Sequence, residues 1–216
     1  MKVEMYIPDT LNEITLAQYQ KYIKYQKDND DENFLAIKMI EVFCGLRNHT
    51  VRSMKAKSIR DICKILTDMF NEKPQLVKQF EMKGITYGFV PDLENITFGE
   101  YIDLDTFIGD FENMHKAMAV LYRPITQSYK DKYTIEKYTG DKYEDMINMP
   151  MDAVFSSILF FYHLGMELST VMMNSLETQE EENLVQYLSS IESGDGINQF
   201  GVYLDKMLQD LKISLN

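Results

Sequence analysis

VKQFEMKGITYGFVPDLENITFGEY, residues 77–101, decides the fold. Its first half alternates, with Phe80 and Met82, a Lys83-Gly84 step, then Ile85, Tyr87 and Phe89 running up to Pro91. Side chains alternate faces along a strand, and glycine accepts the positive φ of a tight turn, so this pattern predicts a β-hairpin. The second half changes character. Thr97 stands before Phe98 with Glu100 three residues on, the capping box that satisfies free amides at a helix start, and Ile96 and Tyr101 hold the hydrophobic-staple positions around it. Strand therefore gives way to helix. The fold class expected from this change of period is α+β, predominantly α-helical with a small antiparallel sheet or hairpin.

The same transition occurs at the beginning of the chain. Ile7-Pro8-Asp9-Thr10-Leu11-Asn12-Glu13-Ile14-Thr15-Leu16-Ala17-Gln18-Tyr19 aligns with Val90-Pro91-Asp92-Leu93-Glu94-Asn95-Ile96-Thr97-Phe98-Gly99-Glu100-Tyr101 across a single-residue gap. Thr15 and Gln18 form the cap, and Ile14 and Tyr19 the staple. Each copy precedes a second helix opening with Glu-Asn, at Glu32-Asn33 and Glu112-Asn113. Residues 1–124 thus read as two related strand-Pro-helix-helix units, about 1–79 and 80–124. Two unrelated helices could share this start chemistry, since Pro-Asp and Ile-Thr serve any strand-to-helix entry. Two copies are too few, and their period too long, for a solenoid. In the first unit, Val3, Met5 and Ile7 alternate before Pro8, and this short edge strand, Lys2 to Ile7, is expected to pair with the hairpin.

Helices are expected from about Leu16 to Lys27, and from Asn33 to Cys44 with Gly45 at the end. After a polar link, a third is expected from Ser58, with Ile59, Ile62, Leu66, Met69 and Phe70 as its stripe. The second unit's last helix should stop at Arg123-Pro124. Residues 125–149, with Tyr129, Tyr133, Tyr138 and Tyr143, form a polar, Tyr-rich connection with a short strand and a helical turn. Residues 150–216 form a C-terminal helical region. Pro150 suits the first residue of a helix from Met151 to about Leu176, carrying Val154, Ile158, Phe161, Leu168, Val171 and Met172. An acidic patch, Glu177 to Glu182, leads to a helix ending at Gly194 and a last helix after Asp195-Gly196.

A hydrophobic content of 45% over 216 residues is enough to bury one substantial core or two small ones. The formal net charge of -12 repels phosphate backbones and anionic lipid head groups, so neither nucleic acid nor a membrane is an expected partner. Met1 to Ile14 has no basic segment followed by an apolar one, and the most apolar run, Ala153 to Leu164, is too short to span a bilayer. Cys44 and Cys63 are the only cysteines and lack metal-ligand spacing, so they read as small core residues in a reducing cytosol.

Catalytic and metal-binding patterns fail on spacing. Asp28, Asp30 and Glu32 occupy the first ligand positions of a calcium loop, but Asn33 replaces its glycine and Met39 its closing glutamate. Asp103, Asp105 and Asp110 fail likewise, with Phe107 and Ile108 at the ligand and glycine positions, and are expected between two helices. His49, His115 and His163 match no zinc motif. Gly84, Gly88 and Gly99 stand too far apart to cradle phosphate, no GxSxG occurs, and neither cysteine has basic neighbours placed to lower its pKa. The expectation is a protein without enzyme activity, cofactor or metal.

What remains is binding. Fifteen methionines and no tryptophan suggest adaptable surface, since methionine suits a face that accepts several partners. Met166, Met172 and Met173 on the long helix are candidate partner-binding residues. So are Ile197, Phe200, Leu204, Met207 and Leu211, which recur at spacings of three and four, with Leu208 and Leu215 beside them. This stripe is read as a contact for a partner or a second copy, or as one folded back on the chain's own core. The Gly194-Asp195-Gly196 break permits the swing.

IPDTLNEITLAQY (7–19), YGFVPDLENITFGEYIDLD (87–105), MHKAMAVLYRP (114–124), FFYHLGMEL (160–168) and GDGINQF (194–200) occur in this order, and together they resemble a family of tailed-bacteriophage proteins. The likeness covers nearly the whole chain. It implies a product of the virion morphogenesis region, similar to tail assembly chaperones, with phage tail or connector proteins as partners and self-association as a homo-oligomer. The alternative is a structural virion component such as a head-tail connector, ring or internal protein. The first would act in the host cytoplasm and the second would reside in the virion. The resemblance brings no catalytic residues.

Overall fold

A computed structural model describes residues 5–178 except 94 and 131, with side chains as far as residue 164. The fold is α+β and mainly helical. Helices α1 (Leu16–Asp28), α2 (Glu32–Phe43), α3 (Asn48–Arg52) and α4 (Ala56–Phe70) precede the hairpin of β1 (Gln79–Met82) and β2 (Ile85–Phe89). Then follow α5 (Phe98–Ile108), α6 (Met114–Leu121), β3 (Tyr122–Tyr129), β4 (Lys132–Ile135) and α7 (Met151–Thr178). The four strands form one antiparallel sheet in the order β1-β2-β3-β4.

The hairpin forms where its alternation places it. Lys83 and Gly84 both take positive φ, 53° and 75°, the turn whose twist matches the flanking strands. Its partner differs from expectation. Met5 to Ile7 form no strand, and Lys2 to Glu4 lie outside the described residues. The place beside β2 is taken by β3, with Phe89 opposite Tyr122 and Gly88 opposite Arg123. The chain leaves α6 alongside β2, where the Val90 amide donates to the Leu121 carbonyl at 2.8 Å, so the strand pairs without a long loop. Tyr122 also buries its ring, at 1% exposure, which none of the described residues Met5, Tyr6 and Ile7 does.

Across this sheet Tyr133 of β4 reaches back over β2, its hydroxyl donating to the Phe89 carbonyl at 2.7 Å. Its ring covers Gly88 so closely that a Cβ there would lie 2.5 Å from Tyr133 Cε2 and 3.0 Å from Ile125 Cγ1. Gly88→Ala should therefore destabilise by about 1–3 kcal/mol through overpacking, read as a lower urea midpoint. Gly88→Ala combined with Tyr133→Ala should recover part of that loss, because the obstructing ring is gone.

Both capping boxes are present, Thr15 with Gln18 and Thr97 with Glu100. The parallel extends further. In each unit the third helical residue closes the box and uses its other terminal atom to hold the end of the second helix. Gln18 Nε2 donates to the Val42 carbonyl at 3.2 Å near the end of α2, and Glu100 Oε1 accepts from Arg123 Nη1 at 2.7 Å just past α6. Asp31 caps α2, accepting from the Asn33 and Phe34 amides at 2.9 and 3.3 Å, and Gly45 follows α2 with φ 66°.

Between the units the expectation needs correction. The polar link contains α3, because Val51 is fully buried, and Ser58 does not cap α4, which starts two residues earlier with Lys55 at its N-cap. The turn closing α3, where the Ser53 amide reaches the His49 and Thr50 carbonyls, fixes the chain direction before Ser58 is reached. Asp103 and Asp105 lie inside α5 rather than after it, since burial of Leu104 and Ile108 carries the helix on to Ile108.

Helix α7 closes the core. Pro150 bridges to Thr15, and around this bridge the Leu16 amide donates to the Met149 carbonyl and the Met151 amide to the Ile14 carbonyl. Phe155 stands edge-on to Tyr19 with ring centroids 5.2 Å apart, and Tyr19 also meets Phe70 and Phe111 at 5.2 and 5.3 Å. Tyr122 donates its hydroxyl to the Val77 carbonyl at 2.7 Å, beside Ser157 Oγ at 2.9 Å. Residues from both units and from α7 thus share one buried cluster from Leu11 to Phe161.

Candidate functional site

Helix α5 is built to show two apolar faces. The capping box fixes its start and turns Glu100, Leu104 and Ile108 inward, all three buried. Glu100 Oε2 accepts from the Thr97 amide and hydroxyl, each at 2.7 Å, while Oε1 meets Arg123. Burial pushes the Glu100 carboxyl up, but the Thr97 hydrogen bonds and Arg123 outweigh it and hold the carboxyl below its usual range. With one side pinned in this way, Phe98, Tyr101 and Ile102, at spacings of three and four, point outward together at 77%, 38% and 44% exposure. Three large apolar side chains on one exposed helical face form an apolar patch among the described residues.

A concavity of about 380 Å³ lies between Tyr87 of β2, Arg123 at the start of β3 and the segment from Glu136 to Met146. Several of the charged groups around it are held by partners. Lys142 pairs with Glu136 at 3.2 Å, Lys83 with Asp145 at 2.5 Å, and Tyr138 donates its hydroxyl to Asp103 at 2.7 Å. Burial first, then the hydrogen bond to Asp103, raises the Tyr138 phenol far above its ordinary value, so it keeps its proton. The buried Arg123 Nε has no hydrogen-bond partner among the described residues.

The groups considered for chemistry do not converge. Burial pushes the Cys44 thiol up to about 11 and raises that of Cys63, which removes thiolate at neutral pH. His49 and His163 are exposed, and burial pulls His115 below the ordinary histidine value. Asp31 is committed to capping α2. Among the described residues no three of His, Cys, Asp and Glu stand where one metal ion could join them, and no helix is long and apolar enough to cross a membrane.

Of the residues expected to bind partners, Ile197, Phe200, Leu204, Met207 and Leu211 lie outside the described residues. Met166, Met172 and Met173 fall on α7, beyond the last described side chain. The α5 face is what sequence reasoning missed. Its signal was available as a doubled stripe within eleven residues, Phe98, Tyr101 and Ile102 on one side and Leu104 and Ile108 on the other. Comparison with protein-family models, curated proteins and solved structures finds no match for this chain.

Proposed function

We propose that this chain is a non-enzymatic morphogenesis protein of a tailed bacteriophage that works by binding other proteins, as a tail assembly chaperone does, in the host cytoplasm. The observation that carries the binding role is the exposed α5 face of Phe98, Tyr101 and Ile102, apolar surface that an isolated chain gains nothing by leaving in water. The phage setting rests on the ordered likeness of five segments from IPDTLNEITLAQY to GDGINQF. The acidic charge agrees with an assembly factor, since a net charge well away from zero keeps a factor with exposed apolar surface soluble. Mass spectrometry of purified virions beside infected-cell lysate tests the reading. Peptides from this chain in the lysate and not in the particle are the expected result. Stoichiometric peptides in the particle would overturn the chaperone assignment and make the chain a virion component.

A further inference from the structure

The chain is acidic, yet one face of it is not. Five of its 22 lysines and arginines, Arg47, Arg52, Lys55, Lys57 and Arg60, fall between Gly45 and Arg60, where none of its 34 acidic residues does. All five are exposed, and among the described residues none forms an ion pair. On α4, Lys57 and Arg60 stand three apart, opposite the buried Ile62, Leu66 and Met69, and one turn further Lys64 pairs with Asp68 at 2.8 Å. These five cations therefore gain no ion-pair stabilisation among the described residues.

Beside it opens a concavity of about 430 Å³ lined by Met5, Leu46 and Met54 together with Thr50, Ser53 and Ser58, and by Lys55 itself. Lys55 stands at the N-cap of α4, where no side chain caps the helix and the first turn has no acidic residue. The first amides of α4 therefore add partial positive charge to a face that is already basic. Unpaired cations beside a methionine-lined hollow combine two kinds of recognition, one for carboxylates and one for an apolar side chain.

We infer that the α3–α4 face is a docking site for an acidic segment of a partner protein that carries an apolar anchor. A nucleic acid fits less well. Between Gly45 and Met69 there is no phenylalanine, tyrosine or tryptophan on which a base could stack. A long polyanion would also extend past the patch on a chain whose net charge is -12, whereas a short acidic segment ends within it.

The inference rests on the reading of the chain as a protein-binding factor, but its test is separate from the inventory of virions and lysates. The probe is a fluorescein-labelled peptide repeating Glu-Glu-Leu, titrated with the full chain and followed by fluorescence anisotropy. Saturable binding that weakens as salt rises is expected. Arg52→Glu with Lys57→Glu, both on exposed side chains, should weaken it about tenfold or more, since tenfold is only about 1.4 kcal/mol spread over two reversed charges. Lys132→Glu, exposed on β4, should bind like the parent chain. Circular dichroism confirms that both variants are folded. Absence of binding, equal binding of a Gln-Gln-Leu peptide, or indifference to the double reversal would overturn the inference. Tighter binding of labelled oligothymidylate than of the peptide would overturn it too, and would assign the face to nucleic acid.

Discussion

Arg123→Ala should cost about 3–5 kcal/mol of folding stability, because it leaves the Glu100 carboxylate buried without its cation. The two side chains are only 12% and 6% exposed and meet at 2.7 Å, so the carboxylate depends on the guanidinium for most of its charge compensation. The loss reaches further than the pair, since Glu100 also holds the start of α5 through Thr97. Arg123→Ala combined with Glu100→Gln should be more stable than Arg123→Ala alone, because the amide removes the unpaired charge while still accepting from Thr97. Acid provides a second check. Glu100 titrates below its unfolded value in the folded chain, so its contribution is complete above about pH 4.3, the ordinary glutamate value, and disappears as pH falls through the folded one. The gap between parent and Arg123→Ala should therefore narrow in acid. A gap that is constant with pH would show that the lost interaction is not ionic.

Phe155→Ala should also cost about 3–5 kcal/mol, for a different reason. Its ring is 1% exposed and stands edge-on to Tyr19 of α1, which itself packs on Phe70 of α4 and on Phe111 ahead of α6. Removing it opens a cavity where both units meet α7. Urea unfolding should show a lower midpoint in one cooperative transition with unchanged slope. Two separated transitions would mean that the units and α7 do not share a core.

Much of this arrangement was legible in the sequence because it depends on neighbours within a few residues. The hairpin follows from alternation around Lys83-Gly84, both helix starts from Thr15/Gln18 and Thr97/Glu100, and the entry to α7 from Pro150. What was not legible depends on residues far apart. No local pattern makes β3 rather than the N-terminal segment the partner of β2, and the choice follows from where α6 delivers Tyr122. Helix α3 was hidden because five residues with one buried side chain, Val51, leave no periodic signal. Glu100 reads as a cap in sequence, and nothing nearby announces that Arg123 shares its carboxylate. The candidate surface was missed for a related reason. An apolar residue is normally assigned inward, and only the pinning of Glu100, Leu104 and Ile108 on the opposite side shows that Phe98, Tyr101 and Ile102 must face out.

The measurement that bears most directly on the binding role compares the parent chain with Phe98→Ser/Ile102→Ser, each tagged and recovered from infected cells. Both positions are exposed, so the variant should melt with the parent, within about 0.5 kcal/mol. The parent should retain a partner in fixed ratio, and the variant, equally folded, should lose it. A folded variant that keeps the same partner in the same ratio would contradict the account.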